Sequence, residues 1–237
     1  MTERKKRVTL TTPRGVFLFP KLTAPDFGNQ KFPKPNGEYS VQMILKADEA
    51  STKAFLKKLQ PYYDEAMEEA AEAFKALKVD VRKKLGKVTE NDLFTTIYDQ
   101  ETEEPTGEIK FKFAMTASGV RKDKTKWSAK PGIFDAKGKP MVKAPDIWSG
   151  TVGIVSFQPS AYFIPGTGAA GLKLGLAAAQ IIDLVSNGSR SASSYGFGEE
   201  DGYEYDEADA ADNDDDDDAG DDQNSGSSKD IDDDIPF

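Results

Sequence analysis

The 237-residue sequence predicts a mainly β domain with one helical insertion, followed by a long acidic segment. Three observations support this fold class. Several short segments alternate apolar and polar residues, which is typical of half-buried strands. Residues 48–78 place apolar side chains three and four positions apart, as in an amphipathic helix. From Ser191 onward Gly, Ser and Asp replace the apolar residues, so that this segment has little material for a core.

The distribution of charge changes at the same boundary. The chain carries 31 basic and 41 acidic residues, and residues 191–237 hold 19 of the acidic residues and a single basic one, Lys229. Residues 1–190 therefore carry +8 and residues 191–237 carry −18. The acidic segment is predicted to be disordered, because it cannot bury enough apolar surface to offset its ordering entropy.

Composition also excludes several classes of protein. The chain has no Cys and no His, which removes disulfides, thiolate metal ligands and the commonest general base. We therefore expect no enzyme, no cofactor and no metal site, and the lack of Cys fits a reducing cytoplasm. A run of about 18 apolar residues is needed for a membrane span. The sequence contains none and begins without an apolar signal region, so neither a membrane location nor a leader is expected.

Three regions follow from these patterns. Residues 1–12 are predicted to form a flexible basic arm, whose RKKR cluster at residues 4–7 either contacts phosphate or only solubilises the chain. Residues 13–190 have the length and apolar content of one folded domain. Residues 191–237 form the disordered acidic tail.

Two strands and a loop are predicted at the start of the domain. Residues 15–20 form a short apolar strand bounded by Gly and Pro. The second strand has an apolar residue at every other position: Tyr39, Val41, Met43 and Leu45. Residues 24–37 are dense in turn residues and predict a loop. The loop interleaves two aromatic with two basic residues, and its rings either stack on bases or attach the loop to the core: Phe27, Phe32, Lys31 and Lys34.

The helical region and the strand after it have clear periodicity. Pro61 interrupts the region 48–78, which predicts a second helix starting there or a kink. Its acidic face is interpreted as a solvated surface. Residues 109–115 have apolar residues at all odd positions and predict a strand. Lys110 and Lys112 would then lie on one face about 7 Å apart, close to the phosphate repeat of a single nucleic-acid strand.

Basic and aromatic residues continue in the second half. Residues 121–127 (RKDKTKW) combine positive charge with a ring, as in proteins that hold single strands without reading their sequence. The alternative is an exposed hairpin with Trp127 in the core. Residues 134–139 predict a hairpin turn with Gly138 at positive φ. Trp148 then precedes a strand at residues 152–157.

Residues 166–171 (GTGAAG) match the dinucleotide-binding fingerprint, and Asp183 lies at a plausible distance for a ribose contact. A Rossmann half does not fit around this segment, so we predict a mobile Gly-rich loop. The alternation of residues 172–176 predicts a strand, with a helix as the alternative near residues 177–179. Residues 181–185 close the domain.

About five strands with a helix fit the OB-fold, a five-stranded Greek-key barrel that binds oligonucleotides on one face and with its loops. We therefore predict binding of single-stranded nucleic acid through the basic and aromatic residues of the strands and loops: Arg14, Lys31, Phe32, Lys34, Lys110, Lys112, Arg121, Lys122, Lys124, Lys126, Trp127, Trp148 and Lys173.

The last six residues, DDDIPF, resemble the C-terminal tip of bacterial single-stranded DNA-binding proteins. The matching residues are Asp232, Asp233, Asp234, Ile235, Pro236 and Phe237. In that family the Phe side chain and its carboxylate enter an apolar pocket rimmed by Lys or Arg. The resemblance implies that the tip recruits replication and repair proteins such as DNA polymerase, helicase or primase. Pro236 restricts Phe237, which lowers the entropy cost of docking.

The body resembles the single-stranded DNA-binding proteins of short-tailed lytic phages. The segments that carry this resemblance are residues 24–29 (APDFGN), 37–41 (GEYSV), 110–113 (KFKF) and 134–139 (FDAKGK). It implies an OB-fold with a packed helix and an acidic tail ending in Phe. It also implies DNA contacts by Lys112 and Tyr162, which match the strand lysine and a barrel-face aromatic. The tip departs from this family toward the bacterial one, which implies recruitment of host enzymes in the bacterial cytoplasm.

The expected function is sequence-nonspecific binding of single-stranded DNA in replication, recombination and repair. Basic residues would neutralise phosphates and rings would stack on bases, while the tail imitates the DNA backbone. Removal of residues 191–237 should therefore tighten binding. The alternatives are an acidic DNA mimic that inhibits a host DNA-binding protein, a carboxylate-metal nuclease and an RNA-binding OB protein. The sequence leaves monomer and dimer open.

Overall fold

A computed structural model describes residues 8–186 of the chain. The strands are β1 (Leu10–Thr11), β2 (Gly15–Gly28), β3 (Pro33–Lys46), β4 (Thr89–Glu90), β5 (Thr95–Tyr98), β6 (Pro105–Thr116), β7 (Ser118–Val120), β8 (Lys126–Ser128), β9 (Gly132–Phe134), β10 (Val152–Ile164) and β11 (Ala169–Asp183). The helices are α1 (Ala50–Lys75) and α2 (Val79–Leu85). The predictions made for the RKKR cluster, the acidic tail and its tip lie outside the described residues.

Five strands close into a barrel in the order β2, β3, β6, β11, β10 and back to β2. Strands β6 and β11 are parallel, with Leu174 beside Phe113, and the other pairs of the barrel are antiparallel. This is the predicted OB-fold topology, and α1 is the helical insertion between β3 and β6. Alternation along β3 and β6 directs apolar residues into the barrel and polar residues outward.

Phenylalanine rings fill the barrel. Phe111, Phe113 and Phe157 are fully buried, as is Phe17 of β2. Phe55 of α1 makes edge-on contacts with Phe111 and Phe157, with ring centroids 5.4 and 5.9 Å apart. Burying each such side chain contributes roughly 1.5–3 kcal/mol. The helix is therefore anchored to the barrel core, and the outer faces of β3 and β6 are left for other contacts.

Helix α1 continues through Pro61, so of the two alternatives given for this residue the start of a second helix is wrong. Proline removes the amide that would bond to the carbonyl four residues earlier, that of Lys57. Both residues are exposed, so water can satisfy that carbonyl. Burial of Leu59 and Ala66 on either side holds the helix against the barrel.

The predicted loop at residues 24–37 is also wrong in extent. Strands β2 and β3 run through most of it as a long hairpin arm, and the connection is the short turn at residues 29–32. The Asn29 Oδ1 accepts hydrogen bonds from the amides of Lys31 and Phe32 and closes this turn. Register shifts between Leu18 and Gly28 accommodate the prolines, which are tolerated at such irregularities.

Three further corrections concern the first residues of the domain and the region from residue 165 to residue 179. The last residues of the predicted flexible arm, residues 1–12, pack against the barrel instead. Leu10 is buried, and the Thr12 amide and hydroxyl bond to the backbone of Val155. The predicted mobile Gly-rich loop is a tight turn at residues 165–168, and β11 begins at Ala169. The helical alternative near residues 177–179 is wrong, since these residues pair with β10 and β9.

Other local predictions are confirmed. Strands cover residues 109–115, 152–157 and 172–176. The turn at residues 134–139 is closed by hydrogen bonds from the Asp135 amide to the Lys139 carbonyl and from the Gly138 amide to the Asp135 carbonyl, with Gly138 at φ 78°. Within residues 8–186, neither helix has the length and apolar composition needed to cross a membrane.

Candidate nucleic-acid interface

The outward face of β3 and β6 carries the strand lysines. Lys110 pairs with Ile44 and Lys112 pairs with Gln42, and the alternation of both strands points these four side chains away from the core. The Lys112 side chain is 59% exposed. In OB-folds this sheet face and the adjoining loops hold oligonucleotides. The structure therefore places both lysines where a phosphate backbone can reach them.

Two other predicted residues extend this face across neighbouring strands. Lys173 is exposed on β11, next to the point where Leu174 pairs with Phe113 of β6. Tyr162 follows on β10, where its ring covers Gly171 of β11 so closely that an added Cβ would lie 2.6 Å from the hydroxyl oxygen. The Asn91 amide donates to that oxygen at 2.6 Å. Lys112, Lys173 and Tyr162 thus lie on three successive strands of the barrel.

Lys34 does not present a free charge to this surface. Its Nζ donates to Asp26 at 2.7 Å and to Glu38 at 2.8 Å. The hydrogen bond to Asp26, and then the one to Glu38, raise the pKa of the Lys34 ammonium. The hydrogen bond from Lys34, followed by the Gly28 amide, lowers the pKa of Asp26. Lys34 therefore stabilises the β2–β3 arm, and its predicted role as a DNA contact would require breaking these ion pairs.

The tip of the β2–β3 arm carries exposed aromatic and basic side chains. Phe32 is 75% exposed and Phe27 is 60% exposed, and Lys31 lies in the turn between them. Phe27 covers Gly37, where an added Cβ would lie 3.1 Å from its ring. Neither ring is part of the core. Of the two roles left open by the sequence, the exposure of Phe32 agrees with stacking on a base.

A second hairpin, formed by β7 and β8, lies beside this arm. The Ser118 hydroxyl donates to the Asn36 carbonyl at 2.9 Å, and the Ala117 amide donates to the Gly37 carbonyl. The hairpin carries the predicted basic run, and all of these residues are exposed: Arg121, Lys122, Lys124 and Lys126. The structure thus brings two basic projections from distant parts of the sequence together at one end of the barrel.

The tip of this second hairpin is ordered by one carboxylate. Asp123 Oδ1 accepts from the Thr125 hydroxyl at 2.6 Å and from the Thr125 amide at 3.0 Å, and these bonds lower the pKa of Asp123. Trp127 is half-buried, with its ring over Gly119 of β7. The ring packs on the hairpin itself and is not among the core side chains.

The last two predicted residues lie on other parts of the barrel. Arg14 is exposed immediately before β2, whose Val16 pairs with Ile44 beside Lys110. Trp148 is 47% exposed in the segment before β10. Arg14 therefore lies near the Lys110 end of the face, whereas Trp148 lies on the far side of β2 from β3.

Three residues next to the predicted set were missed from the sequence. Glu38 lies 3.7 Å from the Lys112 Nζ and competes with any anion for this lysine. Lys21 pairs with Ser40 and shares the outward face. Phe19 is 67% exposed although it lies in an apolar run that predicts burial. The Pro20 that follows it was a visible signal of irregular pairing, but alternation alone cannot locate the irregularity.

The arrangement suits electrostatic binding and stacking. Lysines along an exposed sheet face can neutralise phosphates, and exposed rings at its margins can stack on bases. Within residues 8–186, no group of three or more acidic side chains is close enough together to hold a metal ion.

The chain is similar in sequence and in structure to single-stranded DNA-binding proteins of phages. A family model described as "Single-stranded DNA-binding protein, Bacteriophage T7" matches residues 17–184. A single-stranded DNA-binding protein of Enterobacteria phage T3 is 26% identical over 185 residues, which cover 76% of this chain and 78% of the phage protein. The crystal structure of gp2.5, a single-stranded DNA-binding protein encoded by bacteriophage T7, has the same fold. It aligns with a TM-score of 0.62 and 24% identity, covering 76% of this chain and 94% of that chain.

Proposed function

The chain belongs to the bacteriophage T7 single-stranded DNA-binding protein family, and we propose that it coats single-stranded DNA without sequence preference. The observation that carries this proposal is the grouping of lysines on the outward face of the barrel, where Lys110 of β6 is half-buried and Lys112 of β6 and Lys173 of β11 are exposed. Lysine contacts with phosphate do not depend on the base, so affinity should be similar for different sequences.

Binding would proceed without breaking a covalent bond. Each lysine that meets a phosphate releases condensed counterions, so that affinity falls steeply with salt. Rings such as Phe32 and Trp127 would add stacking of roughly 1–3 kcal/mol per base. The two hairpins that carry them meet at Asn36 and Ser118 and would hold the strand at one end of the face.

Fluorescence anisotropy with labelled oligonucleotides of equal length tests this proposal. The full chain should bind oligo-dT and a mixed-sequence DNA with similar affinity, and both more tightly than the matching duplex. Affinity should fall with a slope of about −0.7 per phosphate contact on a plot of log K against log salt. Preference for RNA of the same sequence would favour the RNA-binding alternative.

In this proposal, the acidic segment recruits other proteins through its tip and competes with DNA. Residues 232–237 would recruit replication, recombination and repair proteins in the host cytoplasm, and the charge of −18 on residues 191–237 would compete with DNA for basic side chains. A chain ending at Arg190 should bind oligo-dT more tightly than the full chain. Deletion of Phe237 alone should abolish capture of partner enzymes and leave DNA affinity unchanged.

The acidic DNA mimic is the second candidate, because the −18 segment has the charge of a nucleic-acid backbone. It predicts that neither the full chain nor the chain ending at Arg190 binds oligonucleotides. It also predicts inhibition of a DNA-binding protein of the host by the acidic segment.

A further inference from the structure

An exposed aromatic pair lies on the far side of β2 from β3. Phe19 and Trp148 are 67% and 47% exposed. They line an open cleft of about 290 Å³, together with Pro20, Lys21, Ile147 and Ser149. All six lining residues belong to the described part of the chain; one of them is a cation and none of them is a carboxylate.

The backbone at Phe19 is unfavourable for an aromatic residue. Its φ is 47°, in the left-handed region that glycine and asparagine tolerate best. The Phe19 amide donates to the Ser149 Oγ at 2.8 Å. Such strain is retained where the surrounding structure enforces it, and it concentrates at functional positions. Because the ring is mostly exposed, core packing does not explain why Phe occupies this position.

The segment that carries Trp148 is held rigidly against β2. The Gly150 amide donates to the Phe17 carbonyl at 2.9 Å, and the Phe17 amide donates to the Thr151 carbonyl at 2.8 Å. The Trp148 amide donates to the Val185 carbonyl at 2.8 Å. Both rings therefore project from fixed backbone, which lowers the entropy cost of stacking a flat ligand between or upon them.

The cleft is continuous with the candidate DNA face. Lys21 pairs with Ser40 of β3, and Ser40 pairs with Ala114 of β6, two residues from Lys112. These positions share the outward side of the sheet. A strand bound at Lys112 and running across β3 would therefore meet Lys21 and then the two rings.

We propose that Phe19 and Trp148 form a stacking site for one nucleobase, with Lys21 contacting the adjoining phosphate. This inference rests on the proposed binding of single-stranded DNA and adds a site beyond the lysines of β6 and β11. The occupant is a nucleotide and not an apolar peptide, because the cleft combines π-faces with a cation and continues a basic face. Stacking on a ring is independent of base identity, in keeping with binding that ignores sequence.

Tryptophan fluorescence reports on the site directly. Trp127 and Trp148 are the two tryptophans of the chain, so the full-length Trp127→Phe variant has Trp148 as its sole tryptophan. Oligo-dT should quench its emission. Adding Phe19→Ala should weaken oligo-dT affinity about 5-fold, the loss expected when a stacking contribution at the low end of the usual range is removed.

The Phe19→Gly variant separates a binding role from a structural one. Glycine relieves the left-handed strain, so Tm should stay the same or rise while oligo-dT affinity again falls about 5-fold. A structural role for the ring would lower Tm instead. Tyr98→Ala is the matched control, because Tyr98 is a 58% exposed ring on β5 beside a different groove, near Leu56 of α1, and its removal should leave affinity unchanged.

Two results would overturn the inference, and they can be told apart. Oligo-dT that binds the Trp127→Phe variant without quenching Trp148, with unchanged affinity in Phe19→Gly, would refute the stacking site and leave the proposed function intact. Failure of the unsubstituted full chain to bind oligo-dT would refute the proposed function and this site with it.

Discussion

Removing the carboxylate of Glu38 should tighten DNA binding. Glu38 Oε1 lies 3.7 Å from the Lys112 Nζ and accepts from the Lys34 Nζ at 2.8 Å. It is therefore an anion built into the surface that is proposed to bind a polyanion. Glu38→Gln keeps the size and the acceptor oxygen of the side chain and removes the charge. Lys34 retains its 2.7 Å ion pair with Asp26, so the arm should stay folded.

The size of the effect follows from two contributions. Freeing Lys112 from an exposed ion pair restores roughly 0.2–1 kcal/mol to its interaction with phosphate. A phosphate bound to Lys112 would lie about 6–7 Å from the Glu38 carboxylate, where like-charge repulsion in water is about 0.6 kcal/mol. Together these contributions, about 0.8–1.6 kcal/mol, predict a gain in affinity of roughly 4- to 15-fold at low salt. The gain should shrink as salt rises, since the Debye length is about 10 Å at 0.1 M.

Anisotropy with labelled oligo-dT at two salt concentrations measures this gain. Glu72→Gln is the matched control for charge: it also removes one negative charge, in this case from an ion pair with Lys75 at 2.7 Å, but it lies on α1. Equal gains in both variants would show that net charge alone is responsible. Unchanged affinity in Glu38→Gln would refute the assignment of Lys112 to the DNA face.

Three further predictions concern single residues. Lys112→Ala should weaken binding equally for all DNA sequences and reduce the salt slope by about 0.7, measured by anisotropy across a salt series; an unchanged slope would contradict the contact. Because its folded pKa is lowered, Asp26 stabilises the fold above its ordinary pKa of 3.8, and this contribution should be lost as pH falls below 3.8 through the lowered folded pKa. Thermal melts between pH 7 and pH 3 should therefore show a smaller loss of Tm for Asp26→Asn than for the unsubstituted chain. Pro61→Ala should raise Tm, since the new amide can donate to the Lys57 carbonyl and alanine favours helix by up to about 3 kcal/mol; a lower Tm would mean that the ring has a packing role.

Periodicity predicted the parts of the fold that are buried on one face. Alternation located β3 and β6 and identified Lys110 and Lys112 as outward residues, because a strand with one buried face fixes the direction of every side chain. The same rule failed at Phe19, where a register irregularity before Lys21 turns the ring to the surface. Local pattern cannot show such an irregularity, since the pairing partner lies elsewhere in the sequence.

The sequence predicted which types of residue make up the candidate site, but not which of them contact one another. Lys34 has the same charge as Lys31 in the sequence, yet its ion pairs with Asp26 and Glu38 depend on the register of β2 with β3. The contact between Asn36 and Ser118, which joins the two basic hairpins, spans 82 positions. Interactions of this range follow from barrel closure, and turn residues and charge runs carry no information about them.

Binding of DNA on the barrel face is tested most directly by the salt dependence of oligo-dT affinity in full-length protein whose face lysines have been neutralised. One variant replaces four lysines of the face by Gln: Lys21, Lys110, Lys112 and Lys173. A control replaces four exposed lysines of α1: Lys53, Lys57, Lys58 and Lys75. Binding on this face predicts that the slope falls by up to about 3 in the first variant and little in the second, because each phosphate contact contributes about 0.7. Equal slopes in the two variants would contradict binding on this face.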